Sequence, residues 1–134
     1  MQATARRLIR DVRRKRMDPS FQGVWAFSCP CELSGDDYLH IFEDGRMVQI
    51  NCQPQAGAER RVIGLRGYAE DDGTFRIKTG ANTPGYAVHI RIADGNLEIK
   101  YPDKTLTGRP VEVPELPAWY SGELAKAEWG DSDT

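Results

Sequence analysis

Between positions 21 and 113 the apolar residues recur with a period of two, the spacing of strands with one buried and one solvated face. The pattern predicts eight short strands, at about 21–29, 37–43, 46–52, 61–70, 74–79, 86–93, 96–101 and 105–113. Residues 3–16 favour helix by composition, but their apolar stripe is only Leu8, Ile9 and Val12. Met17-Asp18-Pro19 ends that segment, because proline disfavours helical backbone at the residue before it. Pro114-Glu115-Leu116-Pro117 stops the last strand. Residues 118–129 then suit a short helix, with Trp119, Tyr120, Leu124 and Trp129 available to pack on the sheet.

Three of the turns contain Asp-Gly, at Asp44-Gly45, Asp72-Gly73 and Asp94-Gly95. This pair accepts the positive φ angles of tight hairpins. A two-residue turn at Asp94-Gly95 puts Val88, Ile90, Ile92, Leu97, Ile99 and Tyr101 on one face. Arg91 then meets Glu98 on the other. Near Gly73 a three-residue loop with a bulge gives the better pattern, joining Ile63, Leu65 and Ala69 to Phe75 and Ile77. A two-residue turn at Asp44-Gly45 groups Leu39, Ile41, Val48, Ile50 and Cys52. The opposite face there (Tyr38, His40, Phe42, Met47, Gln49, Asn51) is not purely polar, and a one-residue slip would exchange the faces.

The tight turns fall on alternate connections, so in a meander they share one end. The longer loops, about 30–36, 53–60, 80–85 and 102–104, share the other and are expected to form a mouth. Eight antiparallel strands of this kind most simply close into an up-and-down barrel, which removes both exposed edges. The expected organisation is a basic N-terminal helical or disordered segment, 1–17, and a single all-β barrel domain, 18–134.

A length of 134 residues fits that one domain and suffices to bury a core without disulfides or metal. The longest apolar run is only a few residues, too short for a transmembrane helix. Net charge is −2, but residues 1–17 sum to +6 and the remainder to −8. That basic segment raises nucleic-acid, anionic-membrane or mitochondrial-targeting readings. No aromatic residue interleaves with its arginines to stack on bases, which argues against a nucleic-acid partner. No apolar stretch of the secretory kind follows it. Together with three cysteines, an odd number, this predicts free thiols in a reducing cytoplasm.

The first strand begins Phe21-Gln22-Gly23-Val24-Trp25. Gly-x-Trp at the start of an eight-stranded meander resembles the lipocalins and the wider calycin group. In that family the Trp lies across the closed end of the barrel, and a basic residue late in the last strand packs over it. The resemblance implies that role for Trp25, with Arg109 covering its ring. It also implies ligand binding inside the barrel. The biotin-binding members' residue spacing is not present, so that activity is not implied.

The expected function is non-catalytic binding of a small apolar or aromatic ligand. Phe27, Cys29, Leu39, Ile50, Leu65, Tyr86, Val88 and Tyr101 are expected to line the upper interior, with the two tyrosine hydroxyls orienting the ligand. The alternative is a barrel filled by its own side chains that acts as a protein-interaction module through its mouth loops. A calycin-like enzyme is the third class, and the sequence names no reaction. A cavity above about 300 Å³ favours ligand binding and a filled interior favours interaction. No cofactor is expected. Cys29, Cys31, Cys52 and His40 resemble a zinc set by type, but Cys29 and Cys52 flank an intervening strand, about 9–10 Å apart. Buried or free thiols are the simpler reading. His40 and His89 are out of phase with their apolar neighbours and read as surface residues. The chain has no nucleophile motif and no phosphate-binding loop, and oligomeric state is not encoded legibly.

Overall fold

A computed structural model of the chain describes residues 17–28, 36–51, 60–79 and 83–129. Its strands are β1 (Gly23–Phe27), β2 (Asp37–Ile41), β3 (Arg46–Asn51), β4 (Arg61–Ala69), β5 (Phe75–Lys78), β6 (Tyr86–Ala93), β7 (Asn96–Lys100) and β8 (Thr105–Val111). Each pairs antiparallel with its neighbours in sequence, and β8 pairs back onto β1, so the expected all-β, eight-stranded barrel is closed. The basic segment 1–16 and all three cysteines lie outside the described residues. Among the described residues no helix is long and apolar enough to cross a membrane.

The tight turns share one end of the barrel and the longer connections share the other, as the meander requires. Asp94 and Gly95 adopt φ values of 54° and 80°, and Ile92 pairs with Leu97 across them, as the sorting of faces predicts. At the β4–β5 turn, Glu70 N–H donates to the Thr74 carbonyl (2.9 Å) and Gly73 has φ 88°. That is the expected three-residue loop.

The β2–β3 turn departs from expectation. Phe42 N–H donates to the Arg46 carbonyl (2.9 Å), Gly45 takes φ 89°, and Ile41 pairs with Met47. This is again a three-residue loop, held by the Asp44 carboxylate on Arg46 N–H (3.0 Å) and Nε (2.8 Å). The extra residue slips the register by one, so Met47, Gln49 and Asn51 share the inner face with Leu39 and Ile41. Val48 and Ile50 turn outward, so Ile50 does not line the interior.

The closed end is filled from below. A 3-10 turn at Pro19–Phe21 starts at Asp18, whose carboxylate accepts from Ser20 N–H (2.9 Å). It brings Met17 and Phe21 under the barrel, where they cluster with Trp25, Ile41 and Met47. Trp25 is 6% exposed, and its Nε1–H donates to the Phe21 carbonyl (2.8 Å). The Phe21 ring meets Phe75 edge-on at 5.5 Å.

Arg109 does not cover Trp25. Closure pairs Trp25 with Pro110 and Ala26 with Arg109. Trp25 points inward, so Arg109, one residue out of phase, points outward. Its guanidinium donates to the Asp36 carboxylate (3.0 Å).

A second core lies outside the barrel. Val24, Ala26, Tyr38, Val48 and Ile50 present outward apolar side chains, and the chain after β8 covers them. This strap contains a 3-10 turn (Val113–Glu115) and one short helix, α1 (Tyr120–Leu124), so the helix is shorter than the 118–129 expected. Trp119, Tyr120, Leu124 and Trp129 all pack on the sheet, as their apolar character predicts. The Trp129 Nε1–H donates to the Met47 carbonyl (2.9 Å), and Arg46 lies 4.6 Å from its ring centroid. Gly64 of β4 lies directly beneath the strap, because a Cβ there would meet the Glu128 carbonyl.

Candidate functional site: the barrel mouth

The inner face of each strand alternates with the outer, so the residues nearest the long connections define the mouth. On β1 this is Phe27, on β2 Asp37, on β3 Gln49 and Asn51, and on β6 Tyr86. Tyr101, just after β7, and Leu106 of β8 complete the rim. Leu39, Leu65, Ile77, Val88 and Ile99 form the base beneath them. Together they enclose a cavity of about 70 Å³ with mainly apolar walls.

That volume is well below the roughly 300 Å³ of ordinary small-molecule pockets. It is also about half the ~150 Å³ of an engineered apolar cavity that takes up benzene. The interior is therefore largely filled by its own side chains, the outcome expected to favour an interaction module, and the space open to a ligand is confined to a recess at the mouth. Gly108 contributes to the filling: a Cβ there would lie 2.6–2.8 Å from the Phe27 ring, so the glycine lets that ring lie flat across β8.

Of the residues expected to line the interior, Phe27, Leu39, Leu65, Tyr86, Val88 and Tyr101 meet at this cavity. Ile50 sits in the outer core, for the register reason above, and Cys29 lies outside the described residues. Sequence reasoning missed Asp37, Gln49 and Asn51. The cue for the last two was the mixed polarity of the face assigned outward on β3.

Tyr86 and Tyr101 stand 6.0 Å apart, centroid to centroid, and their hydroxyls share a hydrogen bond. Burial, reinforced by Tyr101, pushes Tyr86 up to about 12, and burial also raises Tyr101. Both hydroxyls therefore remain protonated through the physiological range, as neutral donor–acceptor groups. The Lys104 ammonium lies 5.2 Å from the Tyr101 ring centroid, so a cation already approaches that ring at the rim.

The remaining candidates sort themselves by position. His89 is exposed, as its phase predicts. His40 also points outward, but the strap covers it: its Nδ1 is 3.0 Å from the Tyr120 hydroxyl, and its ring stacks on Phe42 at 4.2 Å. It is therefore a half-buried residue of the outer core and not a surface histidine. No group of three His, Cys, Asp or Glu side chains among the described residues is arranged to hold a metal.

Burial lowers the pKa of His40 below its ordinary value of 6.5. The folded state thus favours the neutral ring, and the unfolded chain takes up a proton first as pH falls. Stability is fully present above pH ~6.5 and is lost as pH drops from there through the depressed folded value. Urea midpoints for wild type and His40→Asn are expected to diverge most at neutral pH and converge toward pH 5. A constant gap across that range would contradict this role for His40.

No family model matches the chain, and no curated protein matches it. Among solved structures the barrel is similar to the crystal structure of a lipoprotein YedD from Klebsiella pneumoniae subsp. pneumoniae MGH 78578. That likeness has a TM-score of 0.51 at 10% sequence identity, and covers 84% of this chain and 92% of the other. At that identity it shows the fold alone: a closed, eight-stranded antiparallel barrel.

Proposed function

We propose that this chain is a non-catalytic binding barrel of the lipocalin or calycin type whose mouth receives one small apolar or aromatic group. The observation that carries the reading is the recess itself. It is a concave, mainly apolar space at the long-connection end, closed below by packed side chains and edged by a tyrosine pair. Its 70 Å³ is about half a benzene-binding cavity and below the roughly 300 Å³ expected of an enclosing ligand barrel, so a ligand inserts only a short branched chain or part of a ring and the remainder stays outside the barrel. Trp25 across the closed end supports the calycin assignment, and the outward Arg109 departs from it. Small contact area implies modest affinity. Burying about 100 Å² of apolar surface contributes roughly 2.5 kcal/mol before the costs of association.

The test is an NMR titration with benzyl alcohol. Saturable shifts are expected at Phe27, Leu65, Val88 and Tyr101. Tyr101→Ala is expected to weaken binding several-fold by removing one wall, and Leu106→Phe by filling the recess. Asp94→Asn, in a turn at the closed end, is expected to leave binding unchanged. Saturation that neither mouth variant alters would overturn the assignment of the site. Absence of binding by any small aromatic probe would transfer the function to the alternative, a side-chain-filled interaction module.

A further inference from the structure

The walls of the barrel are basic although the chain is not. The eight strands contain eight Lys or Arg and two acidic residues, while the whole chain has a net charge of −2. On the outer face three of these cations fall in one row: Arg46 of β3 pairs with Arg66 of β4, and Arg66 pairs with Lys78 of β5. All three point outward, because Met47, Leu65 and Ile77 beside them belong to the inner core. Like charges directly opposite one another destabilise a sheet. The β6–β7 hairpin instead sets Arg91 against Glu98, at 2.8 Å. Asp44 answers Arg46, with an oxygen 2.8 Å from its Nε. Lys78 has an interaction of its own, so it contributes charge and is not counted as a vacant donor. Arg66, between them, forms no ion pair among the described residues, and its Nε is buried without a hydrogen-bond partner.

A buried donor without an acceptor costs free energy, and opposed cations add to that cost. An oxyanion offsets both. We propose that this row binds a phosphate monoester, with Arg66 as its principal ligand and Arg46 and Lys78 supplying the surrounding positive field. A guanidinium presents a planar fork of donors that matches phosphate oxygens, and the dianion brings the negative charge that the row lacks. A carboxylate is the weaker partner, since it brings one charge to a row of opposed cations. The strap bounds the row on one side. Trp129 stands by Arg46, with 4.6 Å between ring centroid and guanidinium, and Gly64, the preceding outward residue of β4, admits the Glu128 carbonyl. The site lies on the outer wall, so it is independent of the mouth recess and of the ligand proposed for it.

The probe is methyl phosphate, titrated by NMR at neutral pH and constant ionic strength. Saturable shifts are expected at the Arg66 Nε–H and at the amides of Arg46 and Lys78. Arg66→Gln is expected to weaken binding about tenfold. Arg66→Lys, which keeps the charge and loses the fork, is expected to weaken it about threefold. Arg91→Gln, whose cation is paired and lies on another wall, is expected to leave binding unchanged. Arg66→Gln relieves the opposed charges, so without phosphate it is expected to melt no lower than wild type, which also reports an intact fold. Cosedimentation with phosphatidylcholine vesicles, with and without phosphatidic acid, separates the two sources of the group. Binding to methyl phosphate alone assigns a soluble monoester. Binding to phosphatidic acid vesicles that Arg66→Gln abolishes assigns a lipid headgroup. Absence of binding in both arms, or binding that Arg66→Gln leaves intact, would overturn the site.

Discussion

Trp25→Ala is expected to destabilise the barrel by about 3–5 kcal/mol, the cost of truncating a large aromatic in a packed core. The indole is 6% exposed and belongs to the inner cluster with Met17, Phe21, Leu39 and Met47. Met17 and Phe21, beside and within the 3-10 turn at Pro19–Phe21, border the space that the indole would vacate. The substitution also removes the donor to the Phe21 carbonyl, a second loss of about 1 kcal/mol. For a domain of this size the alanine variant is expected to melt roughly 10–25 °C lower. Thermal unfolding followed by circular dichroism measures it. A shift under a few degrees would show that Trp25 does not hold the floor.

Much of this architecture is legible in the sequence, and the failures have identifiable physical causes. The β6–β7 hairpin is read correctly because both faces are sorted: Ile90 opposes Ile99 inside and Arg91 opposes Glu98 outside. The β4–β5 hairpin follows for the same reason. On β3 the rule of apolar inside and polar outside fails, since the strap makes the outer face apolar and the mouth makes the inner face partly polar. Val48 and Ile50 therefore look like interior residues and are not. One signal pointed to the true register. Trp119, Tyr120, Leu124 and Trp129 needed an apolar surface to cover, and the face with Tyr38, His40 and Phe42 was the candidate.

The misplacement of Arg109 has a different origin. On β8 the inward positions are Leu106, Gly108 and Pro110, and the last two carry little hydrophobic signal. The phase of that strand is consequently almost silent in the sequence. Pairing fixes it instead, through Leu97 against Gly108 and Trp25 against Pro110. The candidate site inherits both patterns. Its aromatic side comes from the clearly sorted β6–β7 hairpin, and its polar side comes from the β2–β3 hairpin, whose register sequence alone left open.

Tyr120→Ala is expected to cost a further large sum, about 3–5 kcal/mol, because the outer core is integral to the fold. Tyr120 is 3% exposed and meets Tyr38 edge-on at 5.4 Å, while its hydroxyl bonds His40. Removing the ring leaves Tyr38 and Val48 facing a void and leaves the half-buried imidazole without its Tyr120 partner. Tyr120→Phe keeps the ring contacts and loses only the hydroxyl, so its expected cost is about 0.5–1.5 kcal/mol. The gap between the two variants separates packing from hydrogen bonding. Urea unfolding followed by tryptophan fluorescence measures both, since Trp119 and Trp129 lie in the same strap. If the strap were an accessory, Tyr120→Ala would shift fluorescence without moving the midpoint of the barrel's unfolding. A single cooperative transition displaced to lower urea is expected instead, because β2 and β3 belong to both cores and cannot lose one face without weakening the other.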